Sequence, residues 1–140
     1  MTEIEAPESD YLYTQTSIIP EAGKGLYTAI DIYKGEIIAY YKGRILTELE
    51  AQKRSLSNKD QYFINMLDGR IMDSFHSRCF AKYANDASGQ PGSGFKNNAK
   101  ISVDEEEDIC LVATRNIRSG EEIFCAYGKR YWKKHRISSK

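Results

Sequence analysis

A chain of 140 residues is long enough for one domain with a real core and too short for two. Hydrophobic residues at 41% and charged residues at 29% describe an ordinary globular chain rather than a disordered one. Basic and acidic residues balance to a formal net charge of zero, so bulk charge does not make it a nucleic-acid binder.

In chain order, residues 1–13 hold Pro7, Glu8, Ser9 and Asp10 without periodicity and are expected to form a flexible lead-in. Residues 16–19 offer a short strand stopped by Pro20, and residues 25–29 a second, with a turn at Tyr33-Lys34-Gly35. Residues 36–42, rich in Ile and Tyr, read as a strand. Thr47 with Glu50 three residues on has capping-box spacing, which predicts a helix running to about Leu56. Asp68-Gly69 between residues 61–67 and 70–73 predicts a hairpin with a two-residue loop.

Residues 75–83 are expected to form a helical turn or two, with Phe75, Cys79 and Tyr83 on one face. Residues 99–103 and 109–114 are strands, and the acidic run Asp104-Glu105-Glu106-Glu107-Asp108 is most simply their hairpin tip. Residues 122–126 make a last short strand, and residues 133–140 a basic tail. Many short strands and one modest helix predict a mostly β fold.

Cys79, Cys110 and Cys125 are widely spaced and lack a Cys-x-x-Cys pair, which speaks against a zinc cluster or a disulfide framework. Cys110 and Cys125 sit among apolar neighbours and read as small buried hydrophobes. No apolar leader opens the chain and no run approaches membrane-spanning length, so a soluble, intracellular protein is expected.

Four segments carry chemistry. Gly23-Lys24-Gly25-Leu26 is no dinucleotide fingerprint, since strand-like residues rather than a helix follow it; alone it is a turn. Its missing Cβ atoms permit close backbone approach to a ligand. Ala84-Asn85-Asp86-Ala87 alone is a turn or cap. An Asn98-Ala99 pair and Gly120-Glu121-Glu122-Ile123-Phe124-Cys125-Ala126-Tyr127-Gly128 follow, the latter led in by Ala113-Thr114-Arg115-Asn116-Ile117.

In this order and in so short a chain, the four segments resemble a SET domain, the fold of most protein-lysine methyltransferases. The resemblance covers about residues 16–132, within a domain expected over 14–132. It implies several small sheets of short strands (a β-clip) and a C-terminal segment that threads in a knot-like way beneath the loop of Asn85. It also implies an S-adenosylmethionine site formed by Gly23, Lys24, Gly25, Tyr62, Asn85 and Asp86, with Trp132 closing it and no metal. Tyr127 becomes the active-site tyrosine, and Tyr41, in Tyr41-Lys42-Gly43, lines the channel for the target lysine. Asp73 becomes a structural aspartate.

Three departures stand out. Asp86 replaces the family's histidine, the loop over residues 89–96 is longer, and no cysteine cluster follows Cys125. Cys125, two residues before Tyr127, leaves more room around the amine than the usual Phe or Tyr, so products beyond monomethyllysine are expected.

The implied activity is methyl transfer to the ε-amine of a protein lysine, with a histone tail as one candidate substrate and a nuclear place if the source is eukaryotic. Small members of the family sometimes pair, so a dimer is compatible. The alternative is a catalytically silent SET module that binds a peptide or partner, motivated by Asp86. A nucleic-acid adaptor rests only on the basic residues from Lys129 to Lys140. A cysteine hydrolase has only His76 and His135 to draw on and no nucleophile motif.

Overall fold

The computed structural model describes residues 1–59, 62–66, 69–89 and 94–125. Its strands are β1 (Thr2–Glu3), β2 (Leu12–Thr16), β3 (Lys24–Thr28), β4 (Glu36–Tyr40), β5 (Arg44–Leu46), β6 (Phe63–Asn65), β7 (Ile71–Asp73), β8 (Ala99–Val103), β9 (Ile109–Ala113) and β10 (Glu122–Ile123). Among the described residues helices are few: α1 (Glu8–Tyr11), α2 (Glu48–Leu56) and two 3-10 turns. The expected mostly β class holds. The strands form three small sheets in the orders β1-β4-β9-β8, β10-β3-β2 and β5-β7-β6. Among the described residues no helix is long and apolar enough to cross a membrane.

The first sheet is centred on β9, whose Ile-Cys-Leu-Val-Ala is buried at all five positions. A strand covered on both faces reads as a continuous apolar run rather than an alternation. It pairs β8 from Ala99↔Ala113 to Val103↔Ile109, which leaves the acidic run at the hairpin tip as expected. There Asp104 Oδ1 accepts the backbone N–H groups of Glu106 and Asp108 at 2.9 Å. Those contacts, led by the Asp108 N–H, hold the Asp104 carboxyl below the usual range.

On its other side β9 pairs β4, where Ile37↔Val112 is followed by Ala39↔Leu111, so Ile38 is the extra residue of a bulge. Tyr11 Oη donates to the Ile38 carbonyl at 2.7 Å, satisfying a group that the bulge takes out of the ladder. The lead-in over residues 1–13 is therefore not the loose segment expected. Thr2 and Glu3 pair in parallel with Glu36 and Ile37, α1 follows, and Tyr11 and Leu12 join the core. These are long-range contacts that local composition does not reveal.

Other boundaries shift for identifiable reasons. β2 ends at Thr16 because Ser17 N–H bonds the Gly23 carbonyl and turns the chain. β6 and β7 pair as far as Asn65↔Ile71, and Met66 N–H bonds the Arg70 carbonyl at 2.8 Å; Gly69 has φ +90°, while Asp68 of the expected hairpin turn lies outside the described residues. Over residues 75–83 only Ala81–Tyr83 is helical, as a 3-10 turn. The Lys82 ammonium donates to the carbonyls of Ser74, Phe75 and Ser77 at 3.2, 3.1 and 2.9 Å, and helical backbone bonds would need those acceptors.

Local signals were followed closely at α2. Thr47 Oγ1 accepts from Glu50 N and Glu50 Oε1 accepts from Thr47 N, the reciprocal capping box. Arg54 of α2 pairs with Asp73 of β7, whose carboxylate is almost fully buried, and so ties the helix to the third sheet.

Candidate functional site

Three segments far apart in sequence meet around one buried carboxylate. Glu122 enters β10 at 4% exposure, on the inner side of the second sheet. Its Oε1 accepts Ile18 N–H at 2.8 Å and lies 3.1 Å from Tyr27 Oη, whose single proton is shared with the Thr16 carbonyl at 2.7 Å. Its Oε2 accepts Ser17 Oγ at 2.7 Å and Asn85 Nδ2 at 3.5 Å. Each partner is a donor, the arrangement that makes a buried carboxylate tolerable.

The loop over residues 23–25 lies directly against this group. A Cβ on Gly25 would stand 2.7 Å from Glu122 Cδ and closer still to Oε2. Only glycine lets β3 sit so near the carboxylate. Gly23 has φ +74° and open space where its Cβ would be. Lys24 is held by its carbonyl, which accepts Asn85 Nδ2 at 3.1 Å. Gly23, Lys24, Gly25 and Asn85, predicted as one group, are thus brought together.

The strand carrying Glu122 continues between two loops. Phe124 forms a parallel bridge with Asn85, and Cys125 with Ala99. Cys125 N–H bonds the Asn85 carbonyl at 2.8 Å. Asn98, 6% exposed, donates from Nδ2 to the Glu122 carbonyl at 3.0 Å and accepts Phe124 N–H on Oδ1 at 2.8 Å. One side chain therefore clamps the backbone at Glu122 and at Phe124, two residues apart, so the Asn98-Ala99 pair has a concrete task. The remainder of that segment, with Tyr127 and Trp132, lies outside the described residues.

Asp86 is placed beside Asn85 but turns to its own loop. Its Oδ1 accepts Ser88 N at 2.9 Å, Ser88 Oγ at 2.5 Å and Asn97 Nδ2 at 3.0 Å. Asn97 Oδ1 in turn accepts Ala87 N at 2.8 Å. The aspartate thus braces the loop through its side chain.

Tyr41 follows β4 directly and lies in the main core, its N–H bonded to the Ile109 carbonyl at 3.0 Å. Gly43, two residues on, lets the Asp73 backbone press against the chain where a Cβ would clash. Tyr62 belongs to an aromatic group with Phe75 and Tyr83, 5.9 Å from Phe75 between ring centroids. The Lys82 ammonium lies 5.4 Å from the Tyr62 ring centre and 5.3 Å from that of Tyr83. Burial, with Tyr83 adding, pushes the Tyr62 hydroxyl up. The turn that carries Tyr83 packs on β3.

Sequence reasoning missed Glu122, Ser17 and Tyr27 as site builders. One signal was available: Glu122 and Phe124 are two apart in a strand, so the carboxylate must point to the same side as a large aromatic. A cavity of about 240 Å³ lies elsewhere, between residues 3–11 and β4, and none of its lining residues was predicted as a site residue.

A sequence model of the SET domain matches residues 23–128. No curated protein matches the chain significantly. Among solved structures the fold is similar to ctPRC2 in an autoinhibited conformation bound to S-adenosylmethionine, with TM-score 0.75 and 23% identity over 92% of this chain. It is also similar to a humanized mutant of the Chaetomium thermophilum Polycomb Repressive Complex 2 bound to the inhibitor GSK343, with TM-score 0.72 and 23% identity over 85% of this chain. The chain spans only 16% and 15% of those two chains, so these likenesses speak for the fold alone. The family match starts at Gly23, the first residue of the loop that Asn85 grips, and runs over most of the sequence: the chain belongs to the SET-domain family.

Proposed function

We propose that this chain is an S-adenosylmethionine-dependent methyltransferase acting on the ε-amine of a protein lysine. The observation that carries the reading is the junction of residues 23–25, Asn85 and residues 122–125 around Glu122. The SET-domain match over residues 23–128 supports the same reading.

The residues present fit such a ligand. Open space adjoins Gly23, and the two acceptors facing Asn85 take its Nδ2, which leaves Oδ1 without a donor among the described residues. A carbonyl-type oxygen suits the cationic amino-acid end of the ligand. Gly23, Lys24, Gly25 and Asn85 would hold it, with Tyr62, the main chain of Asp86 and Trp132 as further contacts. When bound, S-adenosylmethionine supplies an electrophilic methyl group on a sulfonium.

The protein has two further tasks. A lysine amine with pKa of about 10.4 is protonated at neutral pH, and a channel of the kind the family resemblance assigns to Tyr41 and Tyr127 would disfavour the ammonium by desolvation. Orientation matters as much, since fixing the reacting atoms is worth up to about 7–11 kcal/mol. The Tyr127 hydroxyl orients the amine. It is not assigned as the base, its own ordinary pKa being about 10.

The exposed Glu105, Glu106 and Glu107 at the β8–β9 tip favour a basic substrate segment such as a histone tail. The silent-module alternative drew on Asp86. Its side chain braces the loop beside Asn85, which removes much of that motive. The test is incubation with methyl-labelled S-adenosylmethionine, a panel of histones and a whole-cell extract, with Tyr127→Phe alongside. Label on lysine that the variant loses is expected. No transfer to any protein would count against the reading.

A further inference from the structure

β4 ends at Tyr40 and β5 begins at Arg44, and between them Tyr41 keeps one bond to β9 through its N–H. Side chains from residues 74–79 meet the other backbone groups of this stretch. Cys79 Sγ accepts Lys42 N–H at 3.4 Å and gives its own proton to the Tyr40 carbonyl at 3.5 Å. Those two groups belong to the peptide units on either side of the Tyr41 Cα, so one sulfur atom restrains both backbone dihedrals of Tyr41. Ser74, fully buried, donates from Oγ to the Lys42 carbonyl at 2.7 Å, one peptide further on. Gly43 permits this approach, because the Asp73 carbonyl lies where a Cβ would stand.

Ser74 also uses its main chain. Its N–H donates to the Tyr62 carbonyl at 3.2 Å. Its carbonyl accepts the Lys82 ammonium at 3.2 Å, the same ammonium that lies 5.4 Å from the Tyr62 ring centre. One residue thus ties the segment of Tyr41 to that of Tyr62.

We propose that Ser74 and Cys79 are positioning residues, a clasp that sets where Tyr41 stands against the target lysine without touching substrate or methyl donor. The inference rests on the methyltransferase reading, in which Tyr41 lines the lysine channel. Rate is steep in such placement, since a shift of about 1 Å in a group that orients the reacting atoms costs about 100-fold.

Ser74→Ala removes the hydroxyl but keeps the N–H on the Tyr62 carbonyl, so it frees the Tyr41 side alone. The assay is the initial rate of transfer from saturating methyl-labelled S-adenosylmethionine to core histones or to the proteins of a whole-cell extract. Calorimetric titration of the donor runs beside it. Ser74→Ala should slow transfer ~10–100-fold and leave donor affinity within ~2-fold of wild type. Cys79→Ala should slow transfer ~5–10-fold, whereas Cys79→Ser, which still accepts and donates, should stay within ~3-fold of wild type.

A folded Ser74→Ala with the wild-type rate overturns the inference, and so does a rate that falls together with donor affinity. Cys79→Ser as slow as Cys79→Ala also overturns it. All three results leave the methyltransferase reading standing. No transfer by wild type to any protein overturns both.

If the alanine variants do not fold, NMR of the wild type decides. The Ser74 hydroxyl proton, held on a carbonyl away from water, should exchange slowly and show a cross-peak to the Gly43 α-protons. Its absence would refute the clasp.

Discussion

Gly25→Ala is the sharpest structural perturbation of the junction. Gly25 lies in β3 outside the left-handed region, so alanine meets no backbone strain and the cost is purely one of space. The new Cβ would stand 2.7 Å from Glu122 Cδ and 3.2 Å from Ser17 Cβ. Ordinary contact begins near 3.4 Å, so the carboxyl carbon must retreat by about 0.7 Å, and its oxygen further. It has nowhere to go without releasing Ser17 Oγ or Ile18 N–H, now at 2.7 and 2.8 Å.

Losing the better part of two hydrogen bonds to a charged group, at about 1.5–3 kcal/mol each, gives a destabilisation of about 3–5 kcal/mol. Gly23→Ala is the internal control, with open space but φ +74°, and should cost only about 1–2 kcal/mol. Urea unfolding followed by circular dichroism measures both. In a Glu122→Ala background the Gly25→Ala cost should fall below about 1 kcal/mol, because the two residues are directly coupled. A Gly25→Ala cost smaller than that of Gly23→Ala, or unchanged when Glu122 is absent, would refute the packing argument.

Other expectations follow from the same structure. Burial, with Glu8 and Glu36 adding, pushes the Tyr11 hydroxyl up to about 12. Its stabilising contribution is therefore complete below pH 10 and is lost at about 1.4 kcal/mol per unit as pH rises toward 12, since the unfolded chain ionises first. Tyr11→Phe should remove that slope in urea midpoints taken across this window; an unchanged slope would place the cause elsewhere. Arg54→Met leaves the buried Asp73 carboxylate without its partner and should cost about 2–4 kcal/mol, recovered largely by adding Asp73→Asn. Lys82→Met strips three carbonyls of their donor and should destabilise by about 2–4 kcal/mol, while Lys82→Arg should cost less; equal effects would mean that the ammonium contacts matter little. Mass spectrometry of the methylated lysine should show more than the monomethyl form, given Cys125 two residues before Tyr127. Monomethyl product alone with excess methyl donor would contradict this.

What the sequence revealed divides by the range of the interaction. The capping box at Thr47 and Glu50 and the β8–β9 hairpin depend on residues a few positions apart, and both were legible. So was the gathering of residues 23–25 with Asn85, though only through resemblance to a family, since 61 positions separate Lys24 from Asn85. The burial of Tyr11, the bulge at Ile38 that it satisfies and the docking of Thr2 and Glu3 arise from distant strands, and composition hid all three. Glu122 was read as one letter of a motif. Its role depends on Ser17, 105 positions away, and only the folded chain puts them together. Lys82 shows the reverse error, because a helical apolar spacing lost to an ammonium that claimed the backbone acceptors.

The central claim is that the Glu122 junction holds S-adenosylmethionine through Asn85. Isothermal titration of that ligand into wild type and Asn85→Ala tests it most directly. The account predicts one site per chain in wild type and binding at least ~10-fold weaker in a variant that still unfolds cooperatively. No heat of binding in wild type, or equal affinity in the two proteins, would contradict it.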